Sequence, residues 1–449
     1  MQPTRSSRAL LTSSALLLAG GGSGVSAGLA QSTPAATKAQ LLTRQPVASI
    51  GWWATATFYQ AFVRSFQDSN GDGIGDLKGL TSRLDDLKRL GVNALWLLPI
   101  YPSPRFHGYE VTNFQDVNPD YGNLADFSTF LKTAHAKGFR VILDWIPHST
   151  SHFHPWFKEA LNPKSPKRDW YQWRSDNPGW GEPWLGGVMG NVWHSAGEEY
   201  YYGLFGASSP ELNWRNPEVK AAMNDAAAFW LKQGIDGFRV DAIRYLLHAK
   251  DDNTPDNPDN LGWVRDFEKF VKGINPSAAV VGEAWTKTPI VAKYLLDGEG
   301  EDMAFDFMLH YALLDALSSG NVRPLQAALD LVTASYPPGS VDAIFTTNHD
   351  LPRPDFGGTR QAKTAASLLL TLPGTPFIYY GQEIGLPSGP FKVDESEMTP
   401  MRWNGSPGAG FTTGKPWHAF STDAPSISVE AEQKDPSSLL TVVRKVFDK

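Results

Sequence analysis

Short apolar runs separated by amphipathic segments repeat along most of the chain. Eight runs have the length and composition of buried strands, and they cover residues 57–62, 94–100, 140–146, 237–243, 278–284, 303–307, 343–347 and 376–380. Segments with helical periodicity lie between most of them, at 81–90, 124–137, 217–232, 263–271, 308–317 and 361–370. This alternation predicts an α/β fold in which the strands form a parallel (β/α)8 TIM barrel, with an open doubly wound sheet as the rival.

One connection is much longer than the others. Residues 148–216, between the third strand and the next helix, are dense in Trp, Tyr, Pro, Gly and charged residues and show no long helical period. A connection of this length in a compact domain is usually functional, and it leaves the third strand at the end where barrel active sites are built. We therefore predict an inserted domain B at 148–216 and a catalytic barrel formed by 49–147 and 217–449.

The N-terminal segment differs in composition from the rest of the chain. Two arginines precede the apolar stretch 9–18, and small residues follow it through Ala27 and Ala30. This order is typical of a cleavable signal peptide, so we predict one at 1–30, with cleavage near Ala27 or Ala30 and export to the periplasm or the medium. Residues 31–48, rich in Ser, Thr, Pro and Ala, are predicted to be a flexible lead-in.

Composition narrows the class of ligand. The chain of 449 residues carries a formal net charge of -7, which argues against nucleic acid or an anionic membrane as the partner. No apolar run after the leader is long enough to predict a membrane span. The 16 tryptophans, together with many tyrosines and aspartates, favour a neutral polyhydroxylated ligand. The absence of cysteine excludes disulfides and a thiol nucleophile, and no pattern indicates an oligomeric state.

Three acidic residues follow three of the predicted strands. If these runs are barrel strands, the carboxyls of Asp241, Glu283 and Asp350 meet at one mouth of the barrel. Their repulsion would raise at least one pKa, which separates a proton donor from an ionised nucleophile. Glycoside hydrolysis with retention of configuration needs such a pair, roughly 5 Å apart. Arg239 lies two residues before Asp241, hence on the same side of the strand, where it can pair with the carboxylate.

Four motifs resemble those of the α-amylase family of glycoside hydrolases, in the same order and spacing. They are Asp144-Trp-Ile-Pro-His148, Gly237-Phe-Arg-Val-Asp241, Gly282-Glu283-Ala-Trp285 and Phe345-Thr-Thr-Asn-His-Asp350. The resemblance implies that Asp241 is the nucleophile and Glu283 the acid/base. It also implies that Asp350 holds sugar hydroxyls in the transition state.

Five further residues match positions with which the family binds the sugar: Tyr109, His148, Arg239, His349 and Arg353. By this resemblance, the arginine at 239 keeps the nucleophile ionised, the two histidines hydrogen-bond the attacked ring, and the tyrosine stacks beneath it. Arg353 matches a position used near Asp350. Without the motifs, the favoured interpretation of both histidines would be buried structural imidazoles with satisfied hydrogen bonds.

A loop after the first strand carries oxygen-bearing side chains at alternate positions. Asp68, Asn70, Asp72 and Asp76 are separated by glycines and by Ile74, a spacing that suits Ca2+. The loop lacks the glutamate that closes an EF-hand, and acidic Gly-rich loops are as often plain turns. The same run binds calcium in the oligoglucosidase-like branch of the family. The resemblance therefore implies a structural Ca2+ held by these four side chains and the Ile74 carbonyl.

The resemblance implies a secreted, retaining α-glucan hydrolase that cleaves α-1,4-glucosidic bonds in malto-oligosaccharides or starch by double displacement. Ser209-Pro-Glu-Leu-Asn213 resembles the signature of members intermediate between α-amylases and oligo-1,6-glucosidases, and Ala242 resembles enzymes that act on α-1,4 bonds. The alternatives are an exo-acting α-glucosidase or oligo-1,6-glucosidase and a glucosyl-transferring relative of the trehalose synthase type. A non-catalytic carbohydrate-binding or partner subunit is an alternative of another class, which the presence of all three carboxylates disfavours.

The sequence departs from the family in two places. Members usually continue past the last barrel helix into a β-sandwich, whereas this sequence stops inside a helix predicted at 435–448. We therefore expect the C-terminal β-sandwich to be absent from this chain. Pro147 replaces an asparagine that often ligates a different calcium ion, so no calcium is expected there.

Overall fold

The structure, a computed structural model, describes residues 50–183, 190–248, 253–356, 359–391 and 393–447. The predicted signal peptide (1–30) and lead-in (31–48) lie outside these residues. Within the described residues, eight parallel strands close into a barrel, in which strands consecutive along the chain are neighbours and the last pairs with the first. The predicted (β/α)8 barrel is confirmed.

Each of the eight predicted apolar runs supplies one barrel strand. The strands are β1 (Phe58–Ala61), β2 (Ala94–Leu97), β3 (Arg140–Trp145), β7 (Gly237–Val240), β8 (Ala279–Gly282), β9 (Met303–Phe305), β10 (Val341–Phe345) and β11 (Thr375–Tyr379). Every residue of β1, β2, β7 and β8 is buried, as expected for parallel strands covered on both faces. Aromatic rings fill the inside of the barrel: Trp96 on β2 reaches Phe305 on β9, a strand that is not its neighbour, with ring centroids 5.5 Å apart.

Helices surround the barrel. They are α1 (Val63–Phe66), α2 (Leu77–Ser82), α3 (Leu84–Leu90), α4 (Leu124–Ala136), α6 (Pro217–Gln233), α7 (Pro258–Ile274), α8 (Thr288–Tyr294), α9 (Phe307–Ser319), α10 (Arg323–Ser335) and α11 (Thr359–Thr371). Local signals set their ends. Asn123 and Asp126 form a capping box at the start of α4, and Gly234 ends α6 in the left-handed region at φ 101°.

The long connection between β3 and α6 contains secondary structure of its own. It contains α5 (Pro155–Ala160) and a three-stranded antiparallel sheet of β4 (Trp173–Arg174), β5 (Trp193–Ala196) and β6 (Glu199–Tyr202), with β6 in the middle. These elements lie within the predicted insertion 148–216. Two isolated bridges hold the return segment of the insertion: Glu211 pairs with Ser149, shortly after β3, and Leu212 pairs with Tyr171, just before β4.

The described chain ends in helices rather than strands. After β11, a mostly irregular segment contains α12 (Val393–Glu397) and leads to α13 (Val429–Lys434) and α14 (Leu439–Phe447). Helix α14 packs against α11 and α3 and buries Leu439, Leu440 and Val443. No C-terminal β-sandwich occurs among the described residues. None of the described helices has both the length and the apolar character needed to cross a membrane.

Candidate active site

The three acidic residues singled out in the sequence converge with a fourth, Asp144, at the carboxyl end of the barrel. Asp144 lies near the end of β3, Asp241 directly follows β7, Glu283 directly follows β8, and Asp350 lies in the loop after β10. Parallel strands of a closed barrel share this end, which explains how residues so distant in sequence meet. Position 282, directly before Glu283, has no room for a side chain. A Cβ on Gly282 would lie 1.6 Å from Oε2 of buried Glu301.

One guanidinium group links three of the carboxylates. Arg239 is 1% exposed, and its Nη1 donates to Oδ1 of Asp144 at 2.8 Å and also to Oδ1 of Asp241. Its Nη2 lies 3.0 Å from Oε2 of Glu283. Contacts from both ends of one rigid fork bring the carboxyl groups of Asp241 and Glu283 close together.

The two carboxyl groups have pKa values shifted in opposite directions. Burial raises the pKa of Asp241, but the charge of Arg239 and the hydrogen bond from His148 outweigh it and hold the pKa below its usual range. Burial raises the pKa of Glu283, and the Asp241 carboxylate adds to this increase while Arg239 opposes it. The pair therefore offers an ionised carboxylate beside a carboxyl group that can carry a proton.

The backbone turns sharply after Asp241. Ala242 adopts φ 51° and ψ 38°, the left-handed region that costs a residue with a Cβ about 1–2 kcal/mol. This turn lets the Ala242 N–H donate to Oε2 of Glu283 at 3.1 Å. Backbone strain at this position therefore helps to hold the second carboxyl group.

His148 lies between two carboxylates. Its Nε2 is 3.0 Å from Oδ2 of Asp241 and its Nδ1 is 3.1 Å from Oε1 of Glu211. Burial lowers the pKa of this imidazole, but the two carboxylates, Glu211 first, raise it to about 10. His148 is therefore a cation that donates on both sides at neutral pH.

His349 has the opposite protonation state. Burial and the charge of Arg239 hold its pKa well below the usual value. The amide of Gln60 lies 2.8 Å from Nδ1 of His349, and Nε2 lies 2.6 Å from the hydroxyl oxygen of Tyr109. The Tyr109 hydroxyl in turn donates to Oδ2 of Asp144 at 2.9 Å. Because the Gln60 amide donates to Nδ1, the proton of the neutral imidazole lies on Nε2.

Tyr109 and Asp350 complete the cluster on the side of His349. The Tyr109 ring is parallel to the His349 imidazole, with centroids 5.5 Å apart and planes inclined by 5°. Oδ2 of Asp350 lies 3.2 Å from Nε2 of His349, and 39% of the Asp350 side chain is exposed. Desolvation and the nearby Glu283 raise the pKa of Asp350.

Arg353 is not brought into this cluster. It is buried, and its Nη1 and Nη2 donate to the backbone carbonyls of Tyr380 and Glu397, at 2.8 and 3.1 Å. These contacts tie the loop after β10 to the end of β11 and to α12. Its assignment as a sugar-binding residue stays a prediction.

The predicted calcium loop is a series of hydrogen-bonded turns. Asp68 Oδ1 accepts from the N–H groups of residues 70 and 71, Asn70 Oδ1 from Asp72 N–H, and Asp72 Oδ1 from Ile74 N–H. Burial raises the pKa of Asp68, but hydrogen bonds from Thr412 and backbone N–H groups outweigh it and lower the pKa. Asp76 caps α2.

The donor set of this loop, three carboxylates, an amide oxygen and a carbonyl at alternate positions, has the chemistry that Ca2+ prefers. Within the part of the chain that the structure describes, no three His, Cys, Asp or Glu side chains are grouped so that they could hold a metal ion. The three loop aspartates would therefore have to move closer together around an ion.

Three residues of the site were not predicted as functional. Asp144 is fully buried and contacts Arg239 and Tyr109. A carboxylate inside an apolar strand indicates a paired or functional charge, so the sequence did contain a signal for this residue. Gln60, at the end of β1, orients His349, and Glu211 contacts His148. The last two contacts join positions 289 and 63 residues apart in the chain, and no local pattern indicates them.

The chain is similar to known proteins over most of its length. The family model described as the catalytic domain of α-amylase matches residues 60–448. "Alpha-amylase 3" of Dictyoglomus thermophilum is 36% identical over 404 residues, which cover 88% of this chain and 77% of that protein. "Probable oligo-1,6-glucosidase 2" of Bacillus subtilis is 32% identical over 470 residues, covering 88% of this chain and 83% of that protein.

The fold is also that of solved structures. The crystal structure of the α-glucosyl transfer enzyme XgtA superposes with a TM-score of 0.77 at 30% sequence identity, covering 88% of this chain and 83% of that one. A barrel with paired carboxylates at its carboxyl end, a family model that spans most of the chain, and relatives of this similarity lead to one conclusion. The chain belongs to the α-amylase family of glycoside hydrolases.

Proposed function

We propose that this enzyme cleaves α-1,4-glucosidic bonds in malto-oligosaccharides or starch and retains the configuration at the anomeric carbon. The observation that carries the proposal is the pair Asp241 and Glu283, held by the two ends of the Arg239 guanidinium with pKa values shifted apart. Retaining enzymes need two carboxyl groups roughly 5 Å apart, one ionised and one protonated.

In the first step, the Asp241 carboxylate attacks the anomeric carbon of the bound glucosyl unit. The bond to the glycosidic oxygen breaks as Glu283 gives that oxygen its proton, and the aglycone leaves as an alcohol. Arg239 and His148 hold Asp241 ionised and oriented for this attack. A covalent glycosyl ester on Asp241 results, with the anomeric configuration inverted.

In the second step, the Glu283 carboxylate accepts a proton from water, and the water oxygen attacks the anomeric carbon. The bond to Asp241 breaks, and the carboxylate and the acid are both regenerated. Asp350, 39% exposed and 3.2 Å from His349, is placed to accept hydrogen bonds from sugar hydroxyls, beside the Nε2–H of that imidazole, which can donate. Two inversions leave the product with the configuration of the substrate.

Early products from maltoheptaose test the cleavage pattern. Mixed short maltodextrins would support an endo-acting amylase, and Ala242, at the turn beside the nucleophile, resembles enzymes that act on α-1,4 bonds. Glucose as the sole early product would instead support an exo-acting α-glucosidase. The similarity to a relative named as a probable oligo-1,6-glucosidase motivates two alternatives: exo action and cleavage of α-1,6 bonds. Longer glucosides formed at high substrate concentration would support a transferase, as the name of XgtA suggests for that relative.

We further propose that the loop at 68–76 binds a structural Ca2+. The ligands would be Asp68, Asn70, Asp72, Asp76 and the carbonyl of Ile74. Calorimetric titration of the chelator-treated protein with Ca2+ is expected to show one site, and Asp72→Asn is expected to weaken it. Retention of the same melting temperature with and without chelator, and no heat on titration, would exclude this site.

Export is the remaining part of the proposal. Residues 1–30 have the order of charged, apolar and small residues of a signal peptide, and we propose that they direct the enzyme to the periplasm or the medium. N-terminal sequencing of the mature protein is expected to begin just after Ala27 or Ala30. A mature protein that begins at Met1 would contradict it.

A further inference from the structure

Glu211 lies deep in the molecule although it belongs to the inserted domain rather than to the barrel. It is 2% exposed, and its Oε1 contacts Nδ1 of His148, which is itself 4% exposed. On the other side of the imidazole, Nε2 contacts Oδ2 of Asp241 at 3.0 Å. The order of groups is therefore carboxylate, imidazole, nucleophile, with a hydrogen bond at each junction.

The backbone fixes this arrangement from two directions. The N–H of Glu211 donates to the carbonyl of Tyr202 on β6 at 2.9 Å, and the N–H of Leu212 donates to the carbonyl of His148 at 2.7 Å. Glu211 also forms a bridge with Ser149. The side chain that contacts His148 is thus anchored both to the sheet of the insertion and to the segment after β3.

We propose that Glu211 is a positioning residue, contributed by the inserted domain, that keeps His148 protonated and aimed at the nucleophile Asp241. This inference rests on the proposed double displacement with Asp241 as the nucleophile. Two carboxylates stabilise the positive charge of a buried imidazolium. If one carboxylate is removed, only the other remains to offset the cost of burying that charge.

The charges around His148 set the sign of the effect. Glu211 and Asp241 face its two nitrogens, Arg239 contacts Asp241, and Tyr202 lies beside Glu211. Burial favours the neutral imidazole, so removal of the Glu211 charge lets His148 lose its proton at neutral pH. Asp241 then loses a cationic partner, and its pKa rises, although Arg239 still contacts it.

The test is the pH dependence of covalent inactivation by a fluorinated glucosyl fluoride, which reports ionisation of the nucleophile without requiring Glu283 as an acid. In Glu211→Gln, which keeps the shape and an acceptor but removes the charge, the acidic limb is expected to move to higher pH by about one unit or more. Glu211→Asp keeps the charge and is expected to restore most of the wild-type profile. Glu199→Gln is the matched control, because Glu199 lies in the same insertion but pairs with Arg168.

An acidic limb in Glu211→Gln that coincides with that of the wild type would overturn the inference, even if the variant were less stable. An equal shift in Glu199→Gln would also overturn it. If Glu211→Gln does not fold, the test uses Glu211→Asp alone. A pH profile of Glu211→Asp that matches the wild type then supports the inference. An acidic limb of Glu211→Asp that is shifted by as much as one pH unit contradicts it. Failure of the wild type to be labelled at Asp241 would refute the proposed function itself, so the two failures are distinguishable.

Discussion

At the scale of single residues, Arg239 joins three carboxylates that would otherwise repel one another. Its planar fork contacts Asp144 and Asp241 through Nη1 and Glu283 through Nη2. A lysine ammonium has the same charge but cannot span these positions. The site therefore depends on the geometry of the guanidinium as well as on its charge.

Arg239→Lys is expected to lower kcat/KM for maltoheptaose by about 100-fold or more, since a misplacement of about 1 Å at a reacting group has that effect. Arg140→Lys is the matched control, because Arg140 pairs with Asp236 at 2.8 Å but is 50% exposed, and its kcat/KM is expected to be nearly unchanged. A few-fold effect at Arg239 would show that charge alone suffices.

The pH profile of kcat/KM follows from the two shifted pKa values. Asp241 must be ionised, and Arg239 and His148 outweigh its burial and hold its pKa low, so activity is lost only as pH falls through that low value. Glu283 must be protonated, and burial and Asp241 raise its pKa, so activity is lost as pH rises through the raised value. The wild-type profile for α-glucosyl fluoride, whose leaving group needs no proton, is therefore expected to lack the alkaline limb that the profile for maltoheptaose shows. The same alkaline limb with both substrates would mean that Glu283 is not the acid.

Sequence motifs predicted most of this site because each residue type follows a barrel strand at a fixed offset. Asp241, Glu283, Asp350 and both histidines could be placed in this way. Arg353 donates to the carbonyls of Tyr380 and Glu397, and its role in sugar binding stays a prediction. The contacts of Gln60 and Glu211 depend on how distant segments pack, which periodicity does not describe.

At the scale of elements, apolar periodicity located the strands better than the helices. Buried parallel strands are continuous apolar runs, and all eight were found. Helix α8 has only seven residues, too few for a readable period, and α10 buries only Leu325 and Val332. The helix predicted at 81–90 is divided into α2 and α3 at Arg83, which has non-helical ψ 0°. The helix predicted at 435–448 is shorter, because α13 ends at Lys434 and α14 begins at Leu439.

Helix α14 contributes to stability through its apolar face. Leu440 is 2% exposed, and Leu440→Ala is expected to lower the free energy of unfolding by about 2–5 kcal/mol. The same substitution at Leu331 on α10, 42% exposed, is expected to change it by no more than about 0.5 kcal/mol. Urea unfolding of the two variants tests this difference, and equal losses would mean that α14 is not packed as described.

At the scale of the whole molecule, the barrel and the insertion share one active site. The barrel supplies Arg239 and the acidic residues, and the insertion supplies Glu211 behind His148. The sequence predicted the insertion from its length and composition. Its three-stranded sheet was not predicted, because β4, β5 and β6 are only two to four residues long.

The most direct test of the account is to trap the covalent intermediate. With Glu283→Gln and α-glucosyl fluoride, the first step needs no acid and the second lacks its base, so a glucosyl ester is expected to accumulate on Asp241. Mass spectrometry of the intact protein and of its peptides would show one added glucosyl unit on the peptide that contains Asp241. No adduct, or an adduct on another residue, together with a β-configured first product from the wild type, would contradict double displacement through Asp241.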